Sequence, residues 1–305
     1  MVSSDRSTVA EEVQFDERLA SQRASFLVDA LRQLIKRHPF EFFISGGIIL
    51  IMTVAAVTAP WISRVDPSFQ DARAVSQSPT LDHPFGTDNI GRDVFSRTVH
   101  GARVSLTVGA SAVALGILAA TVIGIVSGYF GRWVDVAIQR LVDMMMAFPT
   151  LILILLVVSI FGASKQNVIF AIALFLIAAP SRVVRAEVLS IKSRQYIEAA
   201  RSVGCSNVRI MSHHILPNIV HILIIMVSIN IGGVIITEAS LSFLGLGVPP
   251  PAPSWGNMIA GPGTFFLRKA PWMVLAPGAA LALTVYAFNM MGDALRDVLD
   301  PRLRL

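Results

Sequence analysis

Long apolar runs alternate with shorter polar stretches along the chain. The runs at residues 40–62, 104–128, 137–160, 167–185, 217–241 and 272–292 each lie near the roughly 20 residues a helix needs to cross a bilayer. The pattern predicts an all-α membrane protein with about six transmembrane helices. Pro149 and Pro180 fall inside two of the runs, which a bundle tolerates when neighbouring helices re-satisfy the freed carbonyls. Three stretches between runs are long: 63–101, 186–216 and 242–271. The last contains Pro249-Pro250-Pro251-Ala252-Pro253, which cannot continue a helix. Ahead of the first run, Leu19, Phe26, Leu27, Leu31, Leu34 and Ile35 approximate a helical stripe that ends at His38-Pro39. The chain thus divides into an amphipathic segment, 1–38, and a transmembrane domain, 39–305.

Composition agrees. Of the residues, 54% are hydrophobic and 15% charged, with a mean hydropathy of +0.65; soluble domains carry about 25% charge. The net charge of +5 would suit nucleic acid, but the basic residues sit between the apolar runs, where they set topology. With only three Tyr and no basic patch interleaved with aromatics, nucleic-acid binding is excluded. The single cysteine, Cys205, allows no internal disulfide and fits a reduced cytoplasmic loop. No cleavable signal peptide precedes the run near Phe40. Arg18, Arg23, Arg32, Lys36, Arg37, Arg182, Arg185, Lys192, Arg194, Arg201 and Arg209 all fall on one side of the expected topology. That bias puts both termini in the cytoplasm, stretches 63–101 and 242–271 outside, and 186–216 inside.

The second run carries Ala112, Gly116, Ala120, Gly124 and Gly128 at four-residue spacing. On a helix these form one smooth ridge that lets another backbone approach closely, within this chain or from a partner. Ionisable groups in spans are costly. Asp143 in the third run has Arg140 one turn earlier as a candidate partner, and Glu238 near the end of the fifth has Asn230 two turns before it. Asp143, Asn230 and Glu238 fit either hydrogen bonds between helices or a part in gating or lining a pathway. His213 and His214 are adjacent, so they point to different helix faces and make poor metal geometry. No metal or catalytic residue is nominated. No Gly-x-x-x-x-Gly-Lys phosphate loop, His-Glu-x-x-His zinc helix or Gly-x-Ser-x-Gly elbow occurs, so this chain is not expected to be an enzyme or to bind ATP.

Within the stretch 186–216, Tyr196, Ala199, Ala200 and Val203 share a helical face, while Arg194, Glu198 and Arg201 can form ionic pairs on another. Gly204 suits a left-handed helix end. By geometry alone, this short helix is either a connector or an element that seats in a groove of a soluble partner. Glu198-Ala199-Ala200, then Gly204, then Ile215-Leu216-Pro217 resembles the EAA loop of bacterial ABC-importer permeases. His83-Pro84-Phe85-Gly86-Thr87-Asp88, Gly91-Arg92-Asp93 and Ser96-Arg97 are similar to the peptide/nickel group of that family. So are Gly101-x-Arg103-x-Ser105-Leu106, the run Leu241 to Gly247, Ser254-Trp255-Gly256, and the tail from Gly292 to Arg302. The resemblance runs from about residue 80 to the end, with the first span in place, and is close to the second, C-type subunit of dipeptide and oligopeptide importers.

The resemblance implies a type I importer permease fold in a bacterial or archaeal cytoplasmic membrane. Its partners would be a second homologous permease, two ATP-binding subunits that hold ATP and Mg, an extracytoplasmic substrate-binding protein, and membrane lipid. It also implies that Tyr196, Glu198, Ala199, Ala200, Arg201 and Gly204 form the ATPase-coupling helix, with Ala200 against the partner. The motif around Gly86, Asp88, Gly91 and Asp93 would then be either an interfacial helix with its caps or part of the binding-protein contact. Peptide is the expected cargo, with nickel or another small solute as the alternative. A self-sufficient secondary transporter is the rival from another class.

Overall fold

The computed structural model describes residues 34–260 and 267–299. Most of the amphipathic segment expected over 1–38, and Asp300-Pro301-Arg302 of the tail motif, lie outside the described residues. In chain order the helices are α1 (Pro39–Ile62), α2 (Val94–Phe130), α3 (Arg132–Met146), α4 (Thr150–Phe161), α5 (Lys165–Leu176), α6 (Ala178–Lys192), α7 (Gln195–Ser202), α8 (Asn207–Arg209), α9 (Leu216–Phe243), α10 (Trp255–Ile259) and α11 (Trp272–Leu299). A π-helical segment, Ile210–Ile215, joins α8 to α9. Among the described residues, four helical stretches are long and apolar enough to cross a membrane: Pro39–Ile62, Val94–Phe130, Asn207–Phe243 and Trp272–Leu299. Counting each of two bent pairs as one span raises the number to six.

The long helix α2 is the spine. Its most apolar window is 56% buried, against 17% for α1, and it touches α1, α5, α6, α9 and α11. The small-residue ridge explains how. A Cβ on Gly116 would stand 2.9 Å from the Leu176 side chain, and one on Gly124 would stand 2.7 Å from the Ser181 carbonyl oxygen. On Gly128 it would come within 3.0 Å of the Arg185 carbonyl oxygen. Ala112 and Ala120 are fully buried on the same stripe. The ridge therefore seats α5 and α6 of this chain, backbone close to backbone.

The third apolar run, expected as one straight span, is instead bent by 89° between α3 and α4. Pro149 supplies the cause, because it disfavours helical geometry at Phe148 and stands as the N-cap of α4. The fourth run bends by 42° between α5 and α6, just ahead of Pro180. Before Pro217 the helix widens, so that the Leu216 N–H reaches the Met211 carbonyl. Proline has no N–H and its ring crowds the carbonyl one turn back, and a π turn relieves both.

Candidate functional site

Polar chemistry concentrates at two opposite ends of the bundle. At the end that carries residues 63–93, 244–260 and 267–272, a cap is built from the loop motifs. Asp93 is the N-cap of α2: its Oδ2 accepts the Ser96 N–H at 2.6 Å, while Oδ1 lies 2.9 Å from His83 Nδ1. Asp88 accepts the Ile90 and Arg92 N–H groups at 3.0 and 2.9 Å and the Arg92 Nε at 2.6 Å. Arg97 adds an ion pair to Asp88 and donates to the Pro67 carbonyl at 3.1 Å. Gly91 has φ +81°, and a Cβ there would lie 1.9 Å from the Asp71 carbonyl oxygen, so no other residue fits. The charged motif residues are thus used up inside the cap: Asp88, Asp93 and Arg97 are all buried.

Behind this loop lies Glu238, with none of its surface exposed. Ser105 of α2 donates to Oε2 at 2.8 Å and Ser242 of α9 to Oε1 at 2.7 Å. Ser254 is the N-cap of α10, in a reciprocal capping box with Asn257. Trp255 is fully buried and donates its Nε1–H to the Thr98 carbonyl at 3.0 Å. A Cβ on Gly256 would sit 2.3 Å from the Ala239 carbonyl oxygen. Trp255 and Gly256 therefore lock α10 to α2 and α9. Glu238 is a structural hub.

The opposite end forms a collar of charged residues. Asp135, in the first turn of α3, takes a bidentate grip from Arg185 of α6, with both bonds at 2.5 Å, and accepts the Ser127 hydroxyl. Asp143 pairs with Arg182 of α6 rather than with Arg140, the partner expected from spacing. The bend after α3 turns that helix along α6, which brings together side chains far apart in sequence. Asn230 donates to the Met226 carbonyl of its own helix at 2.7 Å. Asp143, Asn230 and Glu238 do not form one site.

From the collar projects α7. Gly204 has φ +83°, and the Cys205 and Gly204 N–H groups bond the Ala200 and Arg201 carbonyls, both at 3.0 Å. This is the closed helix end that glycine favours. Ile197 and Ala200 are buried among core residues that include Tyr129, Ile210 and Ile215. Tyr196, Glu198, Ala199, Arg201 and Val203 are exposed. Ala200 therefore faces the bundle, correcting the expectation that it lies on the outward face. On a helix of eight residues the buried Ile197 decides the orientation, and Ala200 one turn later follows it inward.

Residues 120–305 match the family described as binding-protein-dependent transport system inner membrane component. Residues 25–79 match the N-terminal transmembrane domain of oligopeptide transport permease C. The chain belongs to this family of transport permeases. The dipeptide transport system permease protein of Alkalihalophilus pseudofirmus is 41% identical over 277 residues, covering 90% of each chain. A putative peptide transport system permease protein of Brucella suis is 39% identical over 274 residues, 90% of this chain and 91% of that one. The glutathione transport system permease protein of Pectobacterium atrosepticum is 39% identical over 275 residues, again 90% of each. The permease is thus a multi-pass membrane component of a binding-protein-dependent ABC transport system. The match to residues 25–79 carries the likeness further toward the N-terminus than the motifs from residue 80 onward suggested. Among the described residues, no cluster of three His, Cys, Asp or Glu side chains is placed to hold a metal.

Proposed function

We propose that this permease forms half of a translocation pathway for short peptides delivered by an extracytoplasmic binding protein. Its relatives' names support the cargo: they handle dipeptides, peptides or glutathione, and glutathione is itself a tripeptide. The other half of the pathway is a second homologous permease. ATP and Mg belong to two separate ATP-binding subunits, consistent with a sequence that lacks any phosphate-cradling loop. The collar end is cytoplasmic, as the excess of Arg and Lys beside it suggests, and the cap is extracytoplasmic.

The observation that carries this reading is α7, an amphipathic helix of eight residues held on the collar with one face packed and one face free. Tyr196, Ala199 and Val203 present the free apolar face, with Glu198 and Arg201 at its rim and Gly204 fixing its end. In this reading they dock on an ATP-binding subunit. Asp143 and Asn230 remain the candidates for the pathway. ATP-driven closure of the ATPases then selects between inward- and outward-open states.

Purification of the permease in mild detergent, with mass spectrometry of what accompanies it, tests the assembly. A second permease and ATPase subunits are expected; recovery of this chain alone, active in liposomes, would overturn the reading in favour of a secondary transporter. Val203→Trp, which enlarges an outward residue without touching the packed face, is expected to abolish ATP-driven uptake while the chain still folds.

A further inference from the structure

Tyr129 is the penultimate residue of α2, only 4% exposed, and it meets α6, α7 and α8 of the collar. Its hydroxyl donates to Asn207 Oδ1 of α8 at 2.7 Å. Its backbone carbonyl accepts the Lys192 ammonium, at the end of α6, at 2.6 Å. The Arg201 guanidinium of α7 lies 5.3 Å from the ring centroid and the Lys192 ammonium 5.8 Å from it. Two like charges thus share one aromatic ring, which attracts both through its quadrupole. Two residues on, Gly131 has φ +63° and ψ −153° and turns the chain into α3, whose Asp135 is clamped to Arg185. The side-chain contacts of α7 through Ile197 and Ala200 are apolar and can slide, and its start is tied to α6 by the Arg194 N–H, which bonds the Ile191 carbonyl at 3.0 Å. The contacts through Tyr129 are directional.

We infer that Tyr129 is the positioning residue through which displacement of α7 reaches α2 and α3. The inference rests on reading α7 as the ATPase-docking helix. A shift of α7 and α8 pulls Arg201 and Asn207, and through them the end of α2. The turn at Gly131 converts that pull into rotation of α3, the half-exposed helix bearing Asp143. A tyrosine is required because the ring holds Arg201 while the hydroxyl, buried with it, holds Asn207.

The test uses the whole complex in liposomes, with spin labels in a Cys205→Ala background. The distance from Leu81→Cys, on the exposed cap, is measured to Arg194→Cys at the start of α7 and to Val136→Cys on α3, with and without ATP and vanadate. In the parent both distances should change. With Tyr129→Leu the Arg194 distance should still change and the Val136 distance should not, and Tyr129→Phe, which keeps the ring and loses the hydroxyl, should leave a reduced α3 movement. If Tyr129→Leu leaves both movements intact, the inference is overturned while the docking reading stands. A parent whose Arg194 label does not respond to ATP overturns the docking reading, and the inference with it. Should Tyr129→Leu fail to assemble, Tyr129→Phe and the exposed Arg201→Gln decide. Each should lower labelled dipeptide taken up per ATP hydrolysed by about fivefold, the weight of one such contact; an unchanged ratio in both would refute the role.

Discussion

The cap and the collar are both made of acids, hydroxyls and arginines, yet they are built to opposite ends. In the cap the acids are buried and satisfied several times over: Glu238 by two serines, Asp88 by two backbone N–H groups and an arginine. In the collar the pairs are more open. The Arg182 and Asp143 side chains are 42% and 49% exposed, and Arg185 and Asp135 are 31% and 15% exposed. A buried acceptor that loses its donors carries a penalty of about 1–3 kcal/mol for each group orphaned, whereas an exposed pair is worth about 0–1 kcal/mol. The cap therefore holds one arrangement, and the Arg182–Asp143 pair of the collar can exchange partners at little cost. A transporter that changes access needs both, a frame that keeps its shape and an end that can move.

Substitutions should separate the two ends in order of cost. Glu238→Leu orphans the buried serine hydroxyls of Ser105 on α2 and Ser242 on α9, and should lower stability by about 3 kcal/mol or prevent folding; thermal unfolding in detergent reads this directly. A near-normal midpoint would mean the hub does not hold the cap. Gly204→Val meets no neighbouring atom, since nothing lies within 4 Å of a Cβ there. Its cost comes from φ +83° alone, about 1–2 kcal/mol for an L side chain in that region. Uptake should fall sharply because the end of α7 is re-aimed; unchanged uptake would argue that this end needs no fixed geometry. Asp135→Asn should cost about 1 kcal/mol or less in the same unfolding assay, but it should loosen α3 and raise ATP consumption per peptide. Arg182→Gln should change stability least, by about 0–0.5 kcal/mol. A larger effect than that of Asp135→Asn would contradict the picture of a collar with separable pairs.

How much of this was legible in the sequence differs between the ends. The ridge from Ala112 to Gly128 is local and periodic, so its close approach to another helix could be read at once; only the partner, α5 and α6, needed the fold. Gly204 was legible for the same reason, as a helix terminator. The bend of 89° was hidden because the apolar run continues through it, although Phe148-Pro149 and the polar positions Asp135, Gln139, Arg140 and Asp143 were available signals. Arg182 as the partner of Asp143, and Asn207 as the partner of Tyr129, lie beyond any local spacing rule. Glu238 fitted either a hydrogen bond between helices or a part in a pathway, as a carboxylate in a span does. Ser105 and Ser242, each unremarkable in sequence, bond it in the buried interior, the first of the two. The inward turn of Ala200 was missed because a helix of two turns has no unambiguous face until Ile197 is seen to be buried.

Hydrogen–deuterium exchange on the assembled complex, with and without ATP and vanadate, tests the contrast most directly. The account predicts that exchange changes across residues 127–143 and 182–209 while residues 83–106 and 238–257 keep their protection, since the cap moves only as a body. Loss of protection in the cap equal to or greater than that in the collar would contradict it.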